Sequence, residues 1–200
     1  MAAKTALVLI ADGSEEIEFV TPQDVLIRAG FFVTSAGVNL EHNYATCSRN
    51  VRIVPDHLSL SASLPFRDIL ILPGGGPGAA TFASSPMVRD LIRAYREQGR
   101  WVAFICAATT ALVASAEHDG ATGDGARKVR VTSHPSVKEA IVKRGWDYAP
   151  DSERVVVDGK VITSRGPGTA MLFALTIVEQ MLGKETRDAI TGPMICADTL

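Results

Sequence analysis

Two hundred residues, 46% of them hydrophobic, with a formal charge of −2, supply the core of one α/β domain and no electrostatic footprint for nucleic acid or an anionic membrane surface. The apolar run in "MAAKTALVLIADG" is too short to span a bilayer and lacks a cleavage pattern, so it reads as a first core strand, and a cytoplasmic protein with passive nuclear access is expected. Cys47, Cys106 and Cys196 are too sparse for a disulfide framework and form no metal-spaced cluster with histidine, so no metal is expected. Cys47 and Cys196 read as small buried hydrophobes.

In chain order, "TALVLIA" predicts a strand and "SEEIEFVTPQDVLIRAG" a helix stopped by Gly30. "FFVTSAG" is the next strand, "VRIVPD" a short extended piece, and "DILILPGGG" a strand ending in glycines. "PMVRDLIRAYREQG" places Met87, Val88, Leu91, Ile92 and Tyr95 at the spacing of an amphipathic helix. "WVAFI" has no polar alternation, as a central parallel strand covered on both faces requires. A helix is predicted from Ala107 to Ser115, and "EHDGATGDGARK", Glu117 to Lys128, predicts a mobile surface loop. "KVRVTS" followed by "HPSVKEAIVKRG" repeats strand, turn and helix. "ERVVVDGKVITS" predicts a hairpin turning at Asp158-Gly159, and "GTAMLFALTIVEQMLG", apolar nearly all round, a buried helix. Alternating strands and helices imply a mostly parallel sheet with helices on both faces, a single domain over residues 1–200.

In such a sheet, ligands bind beyond the carboxyl ends of the strands. Cys106 follows "WVAFI", His134 follows "VRVTS", Glu15, Glu16 and Glu18 follow "TALVLIADG", and Gly74, Gly75 and Gly76 follow "DILILP". A nucleophile, a base, carboxylates and an amide-rich turn thus map to one edge. A sharp strand-to-helix turn at Cys106 is a nucleophile elbow. Helix N–H groups aimed at the sulfur favour thiolate, with an expected pKa below ~6.5. The N–H groups of Gly75 and Ala107 are expected to hold a developing oxyanion. Glu16 and Glu18, two apart on a helix, must point differently; which one faces the strand ends is open. For His134 the plain alternative is a helix N-cap ahead of Pro135.

"ADGSEEIEFVTPQDVLIRAG", "SRNVRIVPD", "LILPGGGPGA", "FICAATTAL", "TSHPSVK" and "ITSRGPGTAMLFAL" resemble the PfpI superfamily, class I glutamine amidotransferase-like proteins. Within it they resemble the Parkinson-disease-linked branch, also described as glyoxalase III or protein deglycase. The last motif is closer to fungal members. The resemblance implies a flavodoxin-like three-layer sandwich with a nucleophile elbow, a homodimer, Cys106 as nucleophile, Glu18 touching the sulfur, and His134 nearby. It implies amides from Gly75 and Ala107, beside Gly74, and basic residues Arg49 and Arg28 near the pocket mouth. It implies cofactor-free conversion of methylglyoxal to lactate, with repair of glycated proteins, chaperone action and peroxide sensing also attributed to members. Two departures stand out: Ala108 replaces a glycine found in many relatives, and Val54 stands where some carry a further cysteine.

The expected enzyme is therefore a cysteine-dependent lyase of the glyoxalase III, or D-lactate dehydratase, type acting on a small 2-oxoaldehyde. The alternative is a redox-responsive or chaperone-like protein with little turnover, in which the same cysteine is oxidised by peroxide.

Overall fold

The computed structural model describes residues 2–118, 122–197 and 199. In chain order the elements are β1 (Thr5–Ile10), α1 (Glu16–Arg28), β2 (Phe32–Gly37), β3 (Ala45–Thr46), β4 (Arg52–Ile53), β5 (Ile69–Leu72), α2 (Gly76–Ser84) and α3 (Pro86–Glu97). They continue with β6 (Trp101–Ile105), α4 (Thr109–Ala116), α5 (Gly123–Ala126), β7 (Arg130–Val131) and α6 (Pro135–Lys143). The chain closes with β8 (Asp147–Tyr148), β9 (Val155–Asp158), β10 (Val161–Ser164), α7 (Ala170–Leu182) and α8 (Lys184–Thr191).

The main sheet runs β2-β1-β5-β6-β10-β9, parallel except for β9. Leaving out β9, this is the flavodoxin-like doubly wound order, whose direction reverses between β1 and β5. The central strands are apolar throughout because alternate side chains feed two cores. Leu7, Leu9, Leu70, Leu72, Val102 and Phe104 pack with Val88, Ile92 and Tyr95 of α3 and Ala111 and Leu112 of α4. Val8, Ile10, Ile71, Ala103, Ile105 and Ile162 pack on the other face with Phe19 and Leu26 of α1 and Phe173 and Ile177 of α7. Among the described residues no helix is long and apolar enough to cross a membrane.

Three local expectations change. β7 leaves the main sheet and pairs in parallel with β8. Side chains of the neighbouring hairpin take the place of a ladder: Arg130 N–H donates to Asp158 Oδ2 and Thr132 N–H to Thr163 Oγ1. The β9–β10 register pairs Asp158 with Val161, so the two-residue turn is Gly159-Lys160 rather than Asp158-Gly159. Gly159 takes the positive φ (58°) that the first position of such a turn demands. Within the expected loop, Gly123–Ala126 forms one helical turn, because Arg96 reaches over from α3 to donate to the carbonyls of Gly125 and Arg127. Residues 119–121 of that loop lie outside the described residues.

Candidate active site

The site starts with the connection that follows β1. Asp12 accepts from the main-chain N–H of Thr46 (2.7 Å) and Glu41 (3.0 Å), and Ser14 Oγ from Ala11 N–H (3.0 Å). These bonds hold the connection rigid up to Glu15, which caps α1 by accepting Glu18 N–H at 2.8 Å. Glu16 and Glu18 are both buried and diverge. Glu16 accepts from Ser48 Oγ (2.9 Å) and Arg49 N–H (2.8 Å). Burial pushes the Glu16 carboxyl up, but these bonds outweigh it and hold the group below the ordinary range. Glu18, 0% exposed, is the carboxyl that turns to the strand ends: Oε2 accepts Gly74 N–H at 2.8 Å, while Oε1 is buried with no hydrogen-bond partner. Burial, with the charge of Glu15, lifts Glu18 to about 7 against the pull of the Gly74 amide.

Cys106 closes the site from β6. It takes φ 63°, a conformation L-residues rarely adopt, and opens a single 3-10 turn, Cys106–Ala108, that leads into α4. The predicted helix thus begins as a tighter turn, with its α-helical part from Thr109. The sulfur-bearing residue is 8% exposed. Its thiol accepts the main-chain N–H groups of Gly75 and Ala107 and lies in hydrogen-bonding contact with Glu18. Gly74 is wedged between the pair: a Cβ there would fall 2.6 Å from Cys106 Cβ and 2.7 Å from Glu18 Oε2. The expectation of a freely acidic thiol is corrected by this geometry. Burial and the charge of Glu18 push Cys106 up to about 12, against the two amides.

One negative charge is therefore shared by two buried groups, which titrate as a unit. Of the two, Glu18 has the lower value, so the carboxyl gives up its proton first and then stands as the base beside the thiol, with the Gly74 N–H on Oε2.

His134 sits at the same end but is tied to Cys106 through the main chain: its N–H donates to Cys106 O at 3.2 Å. Its ring caps α6, Nδ1 accepting Ser136 N–H at 3.2 Å, so the neutral ring carries its proton on Nε2. At Nε2 it is a donor, not a base. Arg49 lies beside the α1 start, its guanidinium exposed and bonded to Ser48 O. Arg28 does not join the site. It ends α1, paired to Asp24, ten residues or roughly 15 Å from Glu18. The Ala108 methyl goes into the core with Phe82 and Leu112 rather than toward the thiol. Val54 is exposed. Cys47 is buried as expected and pushed up to about 11 by burial and the carboxylates of Glu16, Glu15 and Asp12, whereas Cys196 is half-buried beside α7 and α8.

Two contributors escape a reading from residues alone. Asp12 and Ser14 organise the first connection entirely through main-chain bonds. In "SRGPGT", Thr169 Oγ1 gathers the N–H groups of Arg165 and Gly166, which sets Gly166 against the His134 ring. The position of that loop at the carboxyl end of β10 was the available signal.

A doubly wound sandwich that carries, at the carboxyl end of β6 next to its reversal point, a cysteine at positive φ between main-chain amides and a buried carboxyl defines a cysteine-elbow α/β protein. The family model described as DJ-1/PfpI family matches residues 4–180, and the chain belongs to that family. It is 43% identical to protein dj-1beta of Drosophila melanogaster over 98% of both chains; the crystal structure of that protein superposes with a TM-score of 0.87, covering 98% of this chain and 100% of the other. It is 37% identical to glutathione-independent glyoxalase DJR-1.2 of Caenorhabditis elegans over 98% of both chains. It is also 32% identical to glutathione-independent glyoxalase DJ-1 of Schizosaccharomyces pombe, over 90% of this chain and 93% of the other. The fungal likeness of one motif therefore does not extend to whole-chain identity, which is higher to the fly protein.

Proposed function

We propose that this chain is a glutathione-independent glyoxalase of the D-lactate dehydratase type that converts methylglyoxal to lactate on Cys106, with glycation adducts of the same aldehyde as further substrates. The observation that carries this reading is the cysteine at φ 63° facing two amides beside a carboxyl lifted to about 7. Glu18 takes the Cys106 proton as the sulfur adds to the aldehyde carbon, and returns it to the new alkoxide to give a hemithioacetal. Glu18 removes the proton from that carbon and returns it to the neighbouring one, through an enediol. The product is a thioester of the 2-hydroxy acid, which water cleaves to lactate and free thiol. One carbon is oxidised and its neighbour reduced, so no external oxidant or reductant enters. The Gly75 and Ala107 amides stabilise the developing oxyanion. His134 donates from Nε2 to a substrate oxygen, and Arg49 favours anionic product at the mouth.

The names of the worm and yeast relatives support this chemistry. We further propose one domain spanning the chain, a homodimer, and a cytoplasmic and nuclear location. The test is lactate formation from methylglyoxal in an amine-free buffer for wild type, Cys106→Ser and Glu18→Gln. Turnover that vanishes in Cys106→Ser is expected. Lactate at equal rate in Cys106→Ser would overturn the assignment. No lactate from wild type, with stoichiometric sulfinate at low peroxide, would replace it by the redox reading.

A further inference from the structure

At the amino-terminal end of the sheet, roughly 20 Å along β6 from Cys106, lies a cavity of about 260 Å³. Three connections enclose it: Gly99 and Arg100 after α3, Arg127 after α5, and the Gly159-Lys160 turn; Arg96 of α3 completes the wall. Four cations thus converge on one small space with a single acidic neighbour in its lining, Asp124, which lies 3.5 Å from Arg127 Nε. Among the described residues, Arg96, Arg100 and Lys160 have no carboxylate at ion-pair distance. They are held by carbonyl and amide oxygens: Arg96 by Gly125 O and Arg127 O, Arg100 by Arg67 O and Gln98 Oε1, and Lys160 by Gly99 O. Oxygen dipoles orient these cations without neutralising them. Arg96 is buried, and burial together with the charge of Arg127 pushes its guanidinium down to about 10. Asp158 acts on Arg96 and Asp68 on Arg100, so with Asp124 three carboxylates face four cations, and the cluster keeps one uncompensated positive charge.

The glycines open the space. Gly99 (φ 63°) and Gly159 (φ 58°) lie in its wall, and a Cβ on either would come within 3.9 Å of Lys160 Nζ or 3.4 Å of Arg127 Nη2. Donors remain for a ligand: Nη2 of Arg100, both terminal nitrogens of Arg127, and Lys160 Nζ, which uses one of its three protons on Gly99. Guanidinium forks match the spacing of phosphoryl oxygens, and a cavity below the ~300–1,000 Å³ of drug-sized ligands suits a small anion.

We propose that this cavity is a second binding site, separate from the cysteine, that takes a small phosphoryl oxyanion: inorganic phosphate, pyrophosphate or the phosphate of a small organic ester.

The test uses the full chain with ¹⁵N-labelled backbone, titrated with sodium phosphate, pyrophosphate and glycerol 3-phosphate, each at constant ionic strength. Saturable shifts of the Gly99, Arg100, Gly159 and Lys160 amides are expected with at least one of the three, and the tightest of them identifies the source. In Arg100→Gln/Lys160→Gln, affinity for that anion should fall at least about tenfold by calorimetry. In Lys143→Gln/Lys184→Gln, which removes two charges from exposed lysines elsewhere, it should hold within about twofold. No saturable shift with any of the anions, or equal weakening in both double variants, would overturn the proposal. Neither readout depends on the reaction at Cys106.

Discussion

Burial lifts both partners of the thiol–carboxyl pair, Glu18 to about 7 and Cys106 to about 12, and the consequence can be measured without substrate. The folded chain keeps a proton that an unfolded carboxyl releases near its ordinary 4.5. The stability this contributes is complete below pH 4.5 and is lost as pH rises through 7. Its ceiling is about 3 kcal/mol, since one pKa unit is about 1.4 kcal/mol. Urea midpoints of wild type should therefore fall between pH 4.5 and 7.5 more than those of Glu18→Gln, which cannot ionise there. Equal pH slopes would mean that Glu18 is not held protonated. The same substitution keeps a hydrogen-bond donor beside the sulfur but removes proton transfer. Lactate turnover should drop by roughly 10²-fold or more while Cys106 alkylation by iodoacetamide continues. Near-full turnover would reassign the shuttle to water.

At the scale of elements, the site depends on three strand-to-helix connections approaching each other more closely than side chains allow. Gly75 caps α2 at φ 83°, and a Cβ there would lie 2.1 Å from Gly13 O. Its neighbour Gly76 begins α2 with nothing within 4 Å of a Cβ. Gly75→Ala should therefore cost roughly 2 kcal/mol or more and abolish turnover, because the displaced amide is the one that faces the sulfur. Gly76→Ala should be close to neutral in both. Thermal denaturation and the lactate assay on the pair decide it; comparable effects would show that the close approach of the connections is not what holds the elbow.

The whole molecule leaves an apolar stripe on α1 uncovered. Ile17 and Val20 are 51% and 50% exposed and Ile27 is 54% exposed, on the side away from buried Phe19 and Leu26. These three share one face by helical spacing. Large apolar groups left together in water mark an interface, and a two-fold self-complementary dimer is the commonest way to cover one. Sedimentation at micromolar concentration should give about twice the 21.3 kDa chain mass. Ile17→Arg should shift it toward the monomer and weaken turnover, because the same helix carries Glu18. A fully active monomer would break that link.

Periodicity and turn chemistry, both local, made much of this protein legible without coordinates. The apolar strands, the stop at Gly30, the helix face of Val88, Ile92 and Tyr95, and the arrival of Cys106, Gly74 and Glu18 at one sheet edge all follow from spacing and from the rule that ligands sit at the carboxyl ends of parallel strands. Residues two apart on a helix had to diverge, and Glu16 and Glu18 do. Tertiary structure decided what depends on groups distant in the chain. Glu18 rather than Glu16 meets the sulfur because Ser48 and Arg49 claim Glu16 from another loop. β7 pairs with β8 because side chains from the β9–β10 hairpin occupy its other edge. Arg28 falls outside the pocket because α1 runs its full length away from the strand ends. The thiol's acidity inverted for the same reason: a helix start is visible in sequence, whereas the burial of a carboxyl 88 residues earlier against that sulfur is created only when the sheet assembles.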